Sequence, residues 1–226
     1  MLPALVLAAS LAAALTVEVA DHQVWVRGVT PGGTVALYGA GIGLGTVSPF
    51  RFEDYRFGED GDRDGTVRLF PPTGHGYDTT VSHSVWVAVD MTSGAWGETA
   101  LTLVQLGRPP WAPFTLSRSD FSPSPQGATA VTFACGGTPS GSTWSVALIR
   151  PQARLWHATV TDTVGAWVVV VPGDLAPFPP DASPPAFLAV GDVLVAINPD
   201  ASCYTVATLT PELVVLRRVR PRIRLP

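Results

Sequence analysis

VWVRGVTPGGTVAL, residues 24–37, and VTFACGGTPSGSTWSVAL, residues 131–148, are two versions of one pattern. Each runs from a β-rich stretch through a Gly-x-Thr-Pro-x-Gly turn into a second β-rich stretch ending Val-Ala-Leu. Proline presets φ for the first half of such a turn, and glycine supplies the positive φ that closes it. The correspondence continues along the chain. GTVRLFPP from Gly65 matches GAWVVVVP from Gly165, VWVAVD from Val85 matches VLVAIN from Val193, and ETALTLV from Glu98 matches YTVATLT from Tyr204. Four blocks in the same order, offset by 100 to 111 residues, define a unit of about 100 residues that occurs twice.

Within the first unit, period-2 apolar runs separated by turn residues predict strands near 15–19, 22–28, 33–40, 49–57, 65–70, 83–90 and 97–105. Seven short strands in some ninety residues is the count of a β-sandwich. VWVAVD and VLVAIN are apolar at nearly every position, as strands covered on both faces are, which places them centrally. Trp25, Trp86, Trp144 and Trp167 fall within strand runs and read as core packing. LGRPPWAPF, residues 106–114, carries three prolines and reads as a stiff connection. The expected organisation is a leader over 1–14, a sandwich over 15–106, a linker over 107–112 and a second sandwich over 113–226.

Composition agrees with this. The chain has 226 residues, 46% hydrophobic and 14% charged, with 22 Gly and 22 Pro, enough to bury one large core or two small ones. All fourteen basic residues are Arg, and the net charge of −4 argues against a nucleic-acid binder. MLPALVLAASLAAAL, residues 1–15, is too short to span a bilayer and reads as a signal h-region, with Ala12 and Ala14 placed for cleavage before Leu15; no basic residue precedes it, and an uncleaved anchor or an apolar first strand are the competing readings. No further apolar stretch suggests a membrane span. A secreted, surface or periplasmic location follows, and two readings of the cysteines stand: Cys135 and Cys203 form one disulfide, or they are unrelated buried thiols.

The turn Gly28-Val29-Thr30-Pro31-Gly32-Gly33-Thr34-Val35 and its partner Gly136 to Val146 are similar to the G-x-x-P-G-x-x-V turn of many bacterial surface modules. In this respect the chain resembles tandem immunoglobulin-like or fibronectin-type β-sandwich repeats. The resemblance implies an all-β fold and a role as spacer, adhesion unit or binding platform, and it implies no catalytic residues. One departure stands out: antibody-type disulfides join the middles of facing strands beside a Trp, whereas Cys135 and Cys203 fall at strand ends and the first unit has no cysteine.

GEDGDRDGTVRL, residues 58–69, places Asp60, Asp62 and Asp64 at alternate positions and closes them with Gly65. Loops of this kind offer oxygens at positions one, three and five and a backbone carbonyl at seven, here Thr66, to calcium. Position twelve is Pro71, not the bidentate Glu of an EF-hand, and a strand follows. Glu53 or Asp54 would be an outer ligand. The competing reading is a solvated hairpin tip neutralised by Arg51, Arg56 and Arg63. In the second unit Asp162 is expected in the place of Asp62, and the first unit is longer here, 28 positions from Leu37 to Gly65 against 17 from Leu148 to Gly165.

Catalytic motifs are missing from the sequence: there is no Gly-x-Ser-x-Gly elbow, His-Glu-x-x-His, phosphate loop or dinucleotide fingerprint. His75, Asp78 and His83 have no recognised zinc spacing. At the C-terminus five arginines fall between 217 and 224, against a remainder with nine Arg and eighteen acidic residues. In an extended chain Arg218, Arg220, Arg222 and Arg224 share one side, and Val219, Pro221, Ile223 and Leu225 the other. This tail is expected either to guard a sheet edge or to contact an anionic surface, a polysaccharide, or the acidic loop of another copy head to tail. Two functions remain open on sequence: a non-catalytic structural, adhesive or assembly protein, or a carbohydrate-binding module stacking ligand on Trp96, Trp111 or Tyr77.

Overall fold

The structure, a computed structural model, describes residues 14–45, 47–70, 82–162 and 167–214. The first thirteen residues, the segment holding His75, Tyr77 and Asp78, the glycine at 165 and the arginines from 217 onward lie outside the described residues. In the first half the strands are β1 (Thr16–Ala20), β2 (Gln23–Arg27), β3 (Thr34–Leu44), β4 (Pro49–Glu59), β5 (Thr66–Leu69), β6 (Ser82–Asp90) and β7 (Trp96–Leu101). In the second they are β8 (Ala112–Pro113), β9 (Phe121–Pro123), β10 (Ala128–Ala134), β11 (Thr143–Arg150), β12 (Arg154–Thr161), β13 (Trp167–Val170), β14 (Ala176–Phe178), β15 (Val193–Asn198) and β16 (Cys203–Thr208).

The protein is all-β, and its two halves repeat one topology. Sheet I has the order β1-β2-β5 and sheet II β4-β3-β6-β7; in the second half sheet IV has β13-β10-β9 and sheet III β14-β12-β11-β15-β16-β8. Stripped of β14 and β8, sheets III and IV reproduce sheets II and I strand for strand. The fourth strand of each half joins the third and sixth, whereas a constant-type immunoglobulin domain puts it on the other sheet.

Three apolar layers separate the four sheets, because the inner strands send alternate side chains to opposite faces. On β6, Trp86 and Ala88 enter the layer between sheets I and II, while Val85, Val87 and Val89 enter a second layer that they share with Ala147, Ile149, Val193, Val195 and Ile197 of sheet III. On β15, Leu194 and Ala196 turn the other way, into the layer between sheets III and IV, with Trp144, Phe133 and Val170. Every residue of β6 and of β15 is buried. The two sandwiches are therefore stacked through their larger sheets, I-II-III-IV, and the sandwich-to-sandwich seam is itself a core. The Pro-rich connection lies along it, with Trp111 packed into the seam and β8 pairing in parallel with the start of β16.

Four expectations are corrected. The extra length of the first half goes into the β3–β4 hairpin, eleven residues per strand against eight in β11 and β12, and not into the acidic loop. Strand β3 runs past the expected stop at 40 because Gly41, Ile42 and Gly43 pair with both β4 and β6, and a Cβ at Gly41 would run into the β6 backbone as one at Gly39 would into the Trp86 ring. The match of Gly65 to Gly165 is one residue out: Val67 and Leu69 face inward opposite Val26 and Val24, and their counterparts are Val168 and Val170 opposite Phe133 and Val131. Of the four tryptophans, Trp86 and Trp144 are core, but Trp25 sits half-buried against the guanidinium groups of Arg27 and Arg68, and Trp167 is 48% exposed.

Candidate metal centre

The loop between β4 and β5 is built around Asp60. Its N–H donates to the Gly33 carbonyl (2.9 Å), continuing the β3–β4 pairing by one step. Its Oδ2 accepts the N–H groups of Gly32 and Gly65, each at 3.0 Å, which ties the Thr-Pro-Gly-Gly turn to the far end of the loop. Asp60 is 2% exposed, and its second oxygen, Oδ1, is buried without a hydrogen bond. Burial works against its ionisation, yet the two glycine N–H groups outweigh that and hold the carboxyl below the usual carboxylate range.

Asp62 and Asp64 are exposed. Asp64 Oδ1 accepts the Thr66 N–H at 2.7 Å, an Asx-type turn that points the carboxylate back over the loop. Arg63 and Gly65 both have left-handed φ, +63° and +78°, and these two bends curl the backbone around one side. As a result one oxygen from each of Asp60, Asp62 and Asp64 lies within 4.8 Å of the others. Ligands at 2.3–2.6 Å from one calcium ion cannot be farther apart than about 5 Å, so the three carboxylates fit a shared ion. Thr66 lines a surface depression with Asp62, Asp64, Glu59, Gly61 and Arg68, and Asp60 lies beneath it, outside the lining.

Glu53 and Asp54 do not belong to this site. They stand on β4 opposite Ala40 and Gly39, some six residues and about 20 Å along the strand from Asp60. Glu53 faces sheet III, where it accepts hydrogen bonds from Tyr38 Oη (2.8 Å) and Thr159 Oγ1 (2.7 Å) and meets His157 Nδ1 at 3.2 Å. Burial raises its pKa, but these donors more than compensate and the carboxyl lies below its ordinary value. Arg51, expected at the acidic tip, instead pairs across the seam with Asp200. Asp162 occupies the place of Asp60 and not of Asp62: its N–H bonds Ser142 O at 2.8 Å as that of Asp60 bonds Gly33 O.

The remaining candidates are absorbed by packing. His83 is fully buried on β6, its Nε2 2.9 Å from Ser202 Oγ and its ring stacked on Trp111 at 4.4 Å. Desolvation, with the positive charge of Arg108, lowers its pKa to about 4, so it is neutral at pH 7. Trp111 donates to the Leu101 carbonyl and Trp96 to Thr208 Oγ1, so both aromatics proposed as sugar platforms are tied to the seam. Tyr204 donates to Glu98 at 2.9 Å, and burial raises the pKa of both groups. Cys135 and Cys203 are bonded, Cα atoms 6.6 Å apart, linking the end of β10 in sheet IV to the start of β16 in sheet III. Sequence reasoning missed the seam contacts of Tyr38, Glu53, His157 and Thr159. The available signal was the alternation of charge and aromatic rings in PFRFEDYRF, which marks a strand with two occupied faces.

No family model matches the chain, and no curated protein matches it. Among solved structures it is similar to one described as "Crystal structure of tetra-tandem repeat in extending region of large adhesion protein", at 10% identity and a TM-score of 0.27. The match covers 87% of this chain and 48% of that one, so the chain spans about half its length. A likeness this distant assigns neither family nor activity. Among the described residues no helix is long and apolar enough to cross a membrane.

Proposed function

We propose that this chain is a non-catalytic structural or adhesive unit of an exported protein, in which two sandwiches act as one stiff body and a calcium ion clamps the loop at 60–66. The observation that carries the reading is the apolar seam between sheets II and III. Modules in one chain move relative to each other by default unless their interface is large and hydrophobic. Here fourteen buried residues form that layer, eight of them Val, Ile or Leu. At ~1.5–3 kcal/mol for each aliphatic side chain removed from water, their gross contribution is on the order of 10 kcal/mol. Hydrogen bonds from Tyr204 to Glu98, Thr159 to Glu53 and Trp96 to Thr208 rim the layer and fix its register. A body of this kind transmits load without bending, and the Cys135–Cys203 bridge suits an oxidising compartment.

The ion clamp is supported by the convergence of the Asp60, Asp62 and Asp64 oxygens and by the unpartnered, buried Oδ1 of Asp60. The three carboxylates would hold calcium, the Thr66 carbonyl would complete the protein side, and the ion would offset their mutual repulsion. Scanning calorimetry tests both parts. One unfolding transition, with calorimetric and van't Hoff enthalpies equal, is expected, and two separate transitions would refute the single body. Calcium at about 100 times its Kd adds about 2.7 kcal/mol and raises the transition by some 5–10 °C. An identical melt in calcium and in chelator, with no heat of titration, would refute the clamp.

A further inference from the structure

Arg68 stands among carboxylates and pairs with none of them. It lines the depression over the 60–66 loop, about 350 Å³ in volume, with Glu59, Asp62 and Asp64, all of them exposed. Among the described residues it makes no ion pair, and its guanidinium lies 4.2 Å from the centroid of the Trp25 ring. The strand register determines this contact. Arg68 on β5 is directly opposite Trp25 on β2, and the side chains of such a cross-strand pair stand together on one face. Arg27 reaches the same ring at 5.5 Å but is paired with Glu18 at 2.8 Å, and Arg63 lies over Gly32, outside the lining of the depression. The second half lacks the whole set. Thr132 and Val169 stand opposite each other where Trp25 and Arg68 do, and Asp162 is followed in sequence by Thr163 and Val164.

We propose that Arg68 sets the affinity of this loop for calcium, and that Trp25 holds its guanidinium off the carboxylates so that their oxygens stay open to the ion. The inference rests on the calcium reading above and adds the control of that site. Two effects of opposite sign then meet in one side chain. The charge of Arg68 opposes a divalent cation anywhere in the depression. A volume of about 350 Å³ is about 9 Å across, and a unit charge that far from a divalent ion, at an effective dielectric of about 60, changes affinity by somewhat less than tenfold. Screening reduces this to about fivefold at 0.01 M salt and about twofold at 0.15 M.

Off the ring, the same guanidinium would do more harm, because a carboxylate oxygen engaged by the arginine fork is lost as a ligand. A cation–π contact at an exposed site favours the ring position by about twofold to fivefold. Trp25 therefore limits the interference of Arg68 to its charge alone. Three carboxylates, one carbonyl and a fixed cation place the loop among weak calcium sites, with Kd about 10⁻⁴–10⁻³ M, where occupancy follows the external concentration.

Calorimetric titration of the full chain with calcium tests the proposal on the wild type, Arg68→Gln, Trp25→Leu and the double variant. Arg68→Gln is expected to lower Kd about fivefold at 0.01 M salt and about twofold at 0.15 M. Trp25→Leu is expected to raise Kd about twofold to fivefold, and the double variant to match Arg68→Gln, because no guanidinium is left to hold. Arg68 is exposed, so its variant decides the matter even if Trp25→Leu fails to fold. A Kd for Arg68→Gln equal to or weaker than that of the wild type would overturn the inference and leave the clamp standing. So would an equal effect of Trp25→Leu with and without Arg68, since Trp25 would then act on the loop by another route. No heat of binding in any of the four chains would overturn the clamp and this inference with it.

Discussion

Lowering the pH should weaken the fold through His83. In the folded chain its ring is 0% exposed between Ser202 and Trp111, and its pKa is about 4. In the unfolded chain it returns to about 6.5. The folded pKa is depressed, so the associated stability is fully present above pH 6.5 and is lost as pH falls toward 4, because unfolding then takes up a proton that folding must expel. Linkage gives losses of about 1.4 kcal/mol at pH 5.5 and about 2.6 kcal/mol at pH 4.5, a slope near 1.2 kcal/mol per pH unit between them. Urea denaturation of the wild type and of His83→Gln, at half-unit intervals from pH 7.5 to 4.5, isolates the effect. Gln cannot take up that proton and keeps a donor for Ser202. Carboxylates held below their usual range, Glu53 among them, contribute equally to both proteins and cancel in the difference. The variant is expected to be the less stable at pH 7.5 and to close the gap steadily below pH 6.5. Parallel curves would show that the buried ring accepts a proton in place, and the reasoning from its burial would fail.

Ile149→Ala, which empties a fully buried position in the II–III seam, should cost about 2–5 kcal/mol and lower one shared unfolding transition; a shift confined to the second half, with near-UV signals of the first unchanged, would contradict the shared core. Asp60→Ala should cost about 1–3 kcal/mol even in chelator, because the Gly32 and Gly65 N–H groups lose their acceptor, whereas Asp62→Asn should change stability only when calcium is present. Replacing Cys135 and Cys203 by Ser frees a loop of 68 residues in the unfolded chain and should cost about 4 kcal/mol by urea denaturation, with the folded circular dichroism spectrum retained.

The strands were legible wherever alternation and turn chemistry agreed. Gly-x-Thr-Pro-x-Gly turns bracketed β2, β3, β10 and β11, and the unbroken apolar runs of β6 and β15 announced burial on both faces. Legibility failed where the pattern carries no phase. WVVVV has the same residue type on both sides, so only pairing with β10 decides that Val168 and Val170 point inward, and a one-residue error exchanges the faces. The last residues of β3, Gly41 to Leu44, were not legible, since GAGIG shows little alternation, and the ring of Trp86 that requires Gly39 lies 47 positions away. The carboxylate triad was visible as local spacing. Its inner half was not, since the bonds from Gly32 and the burial of Asp60 arise from a turn 28 residues upstream. The seam was invisible as an interface because its polar pairs join residues more than a hundred positions apart, as Glu53 joins Thr159 and Glu98 joins Tyr204.

Stacking two sandwiches through their larger sheets also determines where the repeats are able to differ. Side chains of sheets II and III are committed on both faces, so an exchange there disturbs two cores at once, and the central strands stay apolar in both halves. Only the outer sheets and the turns at strand ends can change without that cost, and the halves do diverge there. Sheet I and its loop carry Trp25 between guanidinium groups and the carboxylates of Asp60, Asp62 and Asp64. Sheet IV carries an uncharged face and a disulfide at its rim. The molecule is thus chemically polar along the stacking direction: an acidic edge at one end and an uncharged, partly apolar face at the other. A contact made through unlike ends would be heterologous and would propagate, while one made through like ends would close as a pair.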